Sequence, residues 1–179
     1  MSETNQDFKG PSIGDFVRCN FPHMSDDPGE PSEHEHCALI VDINFDAELN
    51  VHVYTMVHSS KEIERLAKTG GKIRAGSFKL LVHAITGRVP VSDISDRIVN
   101  YEQVMRLPAV KEFFRDLETG PIQVIDSISL EAVEKIRAKM KKPPNPAALA
   151  MYRMERENAP VRPDYMIITA DEDDHQPKP

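Results

Sequence analysis

The chain has 179 residues, of which 40% are hydrophobic and 28% are charged. That balance suits one globular domain with a polar tail and excludes a collagen-like or disulfide-stapled chain. A net charge of -7 argues against general nucleic-acid binding, and the 2 cysteines, Cys19 and Cys37, make no disulfide framework.

No stretch of about eighteen apolar residues is present, so no membrane span is expected. The opening MSETNQDFKG lacks the apolar core of a secretion signal, and a cytoplasmic location is the expectation. Charge is unevenly spread. No lysine or arginine lies between Arg18 and Lys61, a stretch that carries Asp26, Asp27, Glu30, Glu33, Glu35, Asp42, Asp46 and Glu48. The sign then reverses: Lys61, Arg65, Lys68, Lys72, Arg74 and Lys79 face only Glu62 and Glu64. Lys135 to Lys142 forms a second basic cluster, and Asp171 to Asp174 an acidic tail. Taken singly, each run reads first as a solvated face.

Strand patterns fill the first half. In DFVRCNF, Val17, Cys19 and Phe21 alternate onto one side. A polar loop, His23 to Glu35, leads to Cys37–Phe45, whose continuous apolar run reads as a central strand. After a turn at Asp46–Asn50, Asn50 to Val57 alternates again, and the pair reads as a hairpin. Ser60 to Lys68 reads as one or two helical turns stopped by Gly70 and Gly71. Ser77–Thr86 reads as a fourth strand, and Val89–Val99 as a fifth in which Pro90 belongs at a sheet edge or at the strand's start.

Helical patterns follow. Asn100–Leu107 reads as a helix that Pro108 interrupts, unless Pro108 starts the next one. Val110, Phe113, Phe114 and Leu117 form an apolar stripe at helical spacing, read first as core packing. Pro121–Ile128 reads as a short strand. Ser129 caps a helix running to about Lys142, with Val133, Ile136 and Met140 on its apolar side and lysines at its C-terminal end. Half of the 14 prolines lie from Pro143 onward. The expected organisation is therefore a flexible terminus at 1–12, a main body at 13–142, and a proline-rich linker, a short helix (Ala147–Glu157) and a disordered acidic tail at 143–179. The short helix is a candidate for docking on a second subunit.

From Gly14 the order of these features is recognisable. Gly14-Asp15-Phe16-Val17 opens a strand ending at Phe21-Pro22; a loop with Pro28-Gly29 follows; then come the strand Ala38-Leu39-Ile40-Val41 and a third from Val51 to Ser59. Over about residues 13–100 this resembles the PemK/MazF family of plasmid-maintenance toxins. The resemblance implies a mainly β fold with α additions: a small SH3-like, PemK-like antiparallel barrel followed by C-terminal helices, usually a homodimer. It implies a metal-independent endoribonuclease acting on single-stranded RNA, without a cofactor, and covered by an antitoxin partner. The family's arginine before the second strand is replaced here by His36-Cys37, and Ser59 or Ser60 stands at its hydroxyl position.

The candidate catalytic residues are thus His36, Thr55, Ser59 and Ser60. His36 serves as acid or base beside a hydroxyl on the next strand. Lys61, Lys68, Lys72 and Arg74, around the two glycines, are the candidate RNA-phosphate contacts. Without a guanidinium to hold phosphate by two charge-assisted bonds, the alternative is a catalytically silent barrel used for protein binding, of phage or other mobile-element type. His34, His36 and Cys37, with Cys19 and His23, match no familiar zinc spacing, and no metal is expected.

Overall fold

The structure is a computed structural model that describes residues 10–22, 29–60, 77–79 and 98–159, without side chains for 60 and 77–79. Of the helix expected at Ser60 to Lys68 only Ser60 is described, and it ends a strand; the rest of it, most of the expected fourth and fifth strands, and the acidic tail lie outside the described residues.

Six strands form one antiparallel sheet: β1 (Asp15–Cys19), β2 (His36–Asp46), β3 (Val51–Ser60), β4 (Ser77–Lys79), β5 (Ile98–Pro108) and β6 (Val124–Ser127). Their spatial order is β4-β5-β3-β2-β1-β6. Among the described residues the edge strands β4 and β6 do not pair, and the sheet is open. Two helices follow, α1 (Leu130–Lys139) and α2 (Ala147–Asn158). The fold is mainly β with α additions. No helix among the described residues is long and apolar enough to cross a membrane.

β2 is apolar on both sides because both faces of the sheet are covered. Val17, Cys19, Ala38, Ile40, Tyr54, Met56, Met105 and Leu107 point to a first face, where Phe113, Phe114, Ile122 and Ala148 close over them. Phe16, Leu39, Val41, Val57, Val99 and Val104 point to a second face, sealed by Ala132, Val133 and Ile136 of α1. The Ser129 side chain accepts the Ala132 amide at 3.2 Å, so α1 begins with the expected cap.

Two turns set the frame. At the β2–β3 turn, Asn50 takes a φ of 53° and the Asp46 carboxylate accepts the Leu49 amide at 3.0 Å. Asparagine is one of the few side chains that adopt this conformation at low cost. At the entry to β1, Gly14 has a φ of 95°, and a Cβ there would meet the Ile128 carbonyl oxygen at 2.7 Å. Only glycine fits.

Three expectations change. Asn100–Leu107 is not a helix but the body of β5, paired along β3 from Val53↔Pro108 to Ser60↔Ile98. Its register jumps between Val57 and His58, so Tyr101–Gln103 bulge out and break the alternation that marks a strand. Pro108 sits at the strand's last position, where its missing N–H costs nothing. The stripe from Val110 to Leu117 is mostly turn, with a 3₁₀ helix at Arg115–Glu118, although its side chains do enter the first-face core as packing predicts.

The short C-terminal helix is bound to its own chain. Ala148 and Leu149 are buried, Arg153 pairs with Asp46 at 2.8 Å and Glu48 at 3.4 Å, and Arg156 donates to the Leu49 carbonyl. The helix's exposed side includes Met154, 58% exposed.

Candidate functional site

The expected catalytic residues fall where β1, β2 and β3 run side by side. Cys19 stands opposite His36, Cys37 opposite Ser59, and Ala38 opposite His58. Directly opposed residues share a face and successive residues alternate. His36 therefore lies with Cys19, Ala38 and His58 on the first face. Ser59 lies with Cys37 on the second.

Thr55 is opposite Asp42 and Arg106, between Tyr54 and Met56, and so also points to the second face. Thr55 is 5% exposed and Ser59 3%. The Ser59 hydroxyl makes no hydrogen bond among the described residues. The groove expected to join His36 to Ser59 or Thr55 is not formed, because the sheet itself lies between them. Ser60 ends β3, and Lys61, Lys68, Lys72 and Arg74 lie outside the described residues.

The cause is a bulge. A regular hairpin continuing from Asp46↔Val51 would bring Ala38 opposite Ser59 and put His36 on the serine's side. Between Ile40 and Asp42 the register shifts by one residue, and every later pair changes face.

The partner that His36 does meet is His58. Its Nε2 lies 3.4 Å from His36 Nδ1, with ring centroids 5.3 Å apart, and Phe21 stands edge-on to His58 at 5.3 Å. At that spacing one imidazole presents a proton and the other a lone pair. Sequence reading overlooked His58 because only the bulged register carries it to His36.

Cys19, beneath this pair, is fully buried. Burial, then the charges of Cys37 and Glu35, raises its thiol well above the usual range. That favours the protonated thiol, the less nucleophilic form. His34 is exposed and His23 lies outside the described residues. Among the described residues no three histidine, cysteine or carboxylate groups gather as a metal site.

The first face also holds a cleft, at the opposite end of β3. It encloses about 330 Å³ and is lined by Pro11, His52, Tyr54, Leu117, Pro121 and Ile122, among others. Tyr54 is 1% exposed and meets Phe114 edge-on at 5.6 Å. Burial pushes its phenol up to about 12, so it is neutral at physiological pH. Phe45, 55% exposed, stacks edge-on against His52 beside this cleft. No family model, curated protein or solved structure matches the chain.

Proposed function

We propose that this chain is a protein-interaction module on a PemK/MazF-like frame and that it does not cut RNA. The observation that carries the reading is the burial of Thr55 and Ser59 on the face opposite His36. A hydroxyl that attacks or positions phosphate must reach it, together with its acid or base. The first face, by contrast, keeps an open apolar cleft with an exposed aromatic at its edge, a form suited to a partner's side chains.

The proposal includes closure of the curled sheet into an SH3-like barrel, a homodimer, an antitoxin-like or other protein partner, and a cytoplasmic location. Contacts between β4 and β6 in a nuclear Overhauser map would test the barrel.

The decisive experiment is incubation of the full chain, in large excess and without added metal, with long unstructured RNA. The RNA stays whole on this reading. Cleavage that disappears in the Ser59→Ala, Ser60→Ala double variant would overturn it. One observation favours the ribonuclease reading: His36 and His58 are close enough to divide acid and base roles between them. Cleavage lost in both His36→Ala and His58→Ala, with Ser59→Ala unaffected, would support that second reading.

A further inference from the structure

We propose that His36 and His58 hold one divalent cation of the zinc type between their facing nitrogens. This site goes beyond the interaction reading and stands or falls without it. His58 is opposite Ala38, and His36 is two residues from Ala38 on the same face, so the two histidines are diagonal neighbours on paired strands. Both are half-buried. Ligands fixed on strands need less ordering to receive an ion than ligands on loops.

The distances select the occupant. His58 Nε2 and His36 Nδ1 are 3.4 Å apart, the ring centres are 5.3 Å apart, and the ring planes are inclined by 56°. The rings therefore splay away from their facing nitrogens. Taken as a symmetric wedge, with about 1.2 Å from each ring centre to its nitrogen, the two ring axes meet about 2.1 Å beyond the nitrogens, at an angle of about 108°. A zinc–imidazole bond is about 2.0–2.1 Å long, and tetrahedral zinc spreads its ligands by about 109°. The same wedge serves a direct hydrogen bond poorly. It is longer than the usual range of about 2.7–3.2 Å, and the donor axis points aside from the acceptor.

Two imidazoles also decide the class of ion. Magnesium and calcium take oxygen ligands, whereas zinc and its neighbours take imidazole. An octahedral or square-planar ion sets adjacent nitrogens at about 90°, which is narrower than this wedge. Each ring binds as the neutral imidazole, with its proton on the far nitrogen, Nε2 of His36 and Nδ1 of His58. Among the described residues no third histidine, cysteine or carboxylate joins the pair, so water completes the shell, as at an open zinc site.

The full chain, without a histidine tag, is titrated calorimetrically with zinc chloride. In parallel it is titrated with cobalt chloride, whose tetrahedral complexes absorb visible light far more strongly than its octahedral ones. The expected result is one zinc ion per chain, strong cobalt absorption that zinc displaces, and no uptake of magnesium. His36→Ala and His58→Ala should each weaken zinc binding at least about tenfold. His34→Ala, at an exposed histidine of the preceding loop, should leave it unchanged. No zinc uptake at millimolar ion would overturn the assignment. So would a weak, octahedral cobalt spectrum, or zinc binding that both His36→Ala and His58→Ala retain. Should the alanine variants fail to fold, the cobalt spectrum of the wild-type chain decides alone.

Discussion

The two faces of the sheet are built from the same strands to different ends. β3 sends Tyr54 and Met56 to one face and Thr55, Val57 and Ser59 to the other. Among the described residues the second face is packed by aliphatic side chains of α1, and the Thr55 and Ser59 hydroxyls on it are buried. The first face is covered by a loop and by the start of α2, a looser lid that leaves the cleft. What a polar residue can do is thus decided by its cover as much as by its type. The largest expected effects test the covers. Phe114→Ala removes a fully buried ring that braces Tyr54 and should cost about 3–5 kcal/mol in urea unfolding. Ile136→Ala, under the other face, should cost about 2–4 kcal/mol by the same measurement. A double variant whose cost departs from the sum of the two would show that the two faces are not independent.

Much of this contrast was legible in the residues. Alternation at Val17, Cys19 and Phe21 and the unbroken run after Cys37 placed β1 and β2 to within two residues, and Ser129 marked the start of α1. Val133 and Ile136 were readable as its buried side. The failures share one origin. At β5 the bulge at Tyr101–Gln103 disguised a strand, and at β2 the bulge beyond Ile40 moved Ser59 away from His36. A bulge adds a residue without a distinctive sequence, and one such residue reverses which side every later side chain takes. The expected site failed on that parity, although its strands were in place. The cleft was hidden for a different reason: residues from Pro11, β3 and the 109–122 loop meet only in the folded chain.

The next effect separates the faces by pH. Tyr54 in the folded chain holds its proton up to about 12, against 10.0 for an unhindered phenol. The unfolded chain gives up that proton first. Stability from this group is therefore complete below pH 10 and is lost as pH rises toward about 12, at roughly 1 kcal/mol per pH unit after allowance for screening at the cleft mouth. The useful quantity is the difference between wild type and Tyr54→Phe. It should widen against the wild type across this window. A difference that does not change with pH would mean that water reaches the phenol freely.

The smallest effect has the opposite sign and bears most directly on function. Ser59 buries a hydroxyl that makes no hydrogen bond among the described residues. Such a group gives up its water on folding and receives nothing in return, at a cost of about 1–3 kcal/mol. Alanine occupies nearly the same space without that polar atom. Ser59→Ala should therefore raise stability by about 1 kcal/mol, part of the gain being lost to the small void left behind. Urea unfolding of the two chains side by side measures it. A catalytic serine would lower activity when replaced and could be costly to retain; a serine that is merely enclosed leaves every activity unchanged. If Ser59→Ala proves destabilising by 1 kcal/mol or more, its hydroxyl has a partner in the folded protein, and the sealed character of the second face, on which the interaction reading stands, must be given up.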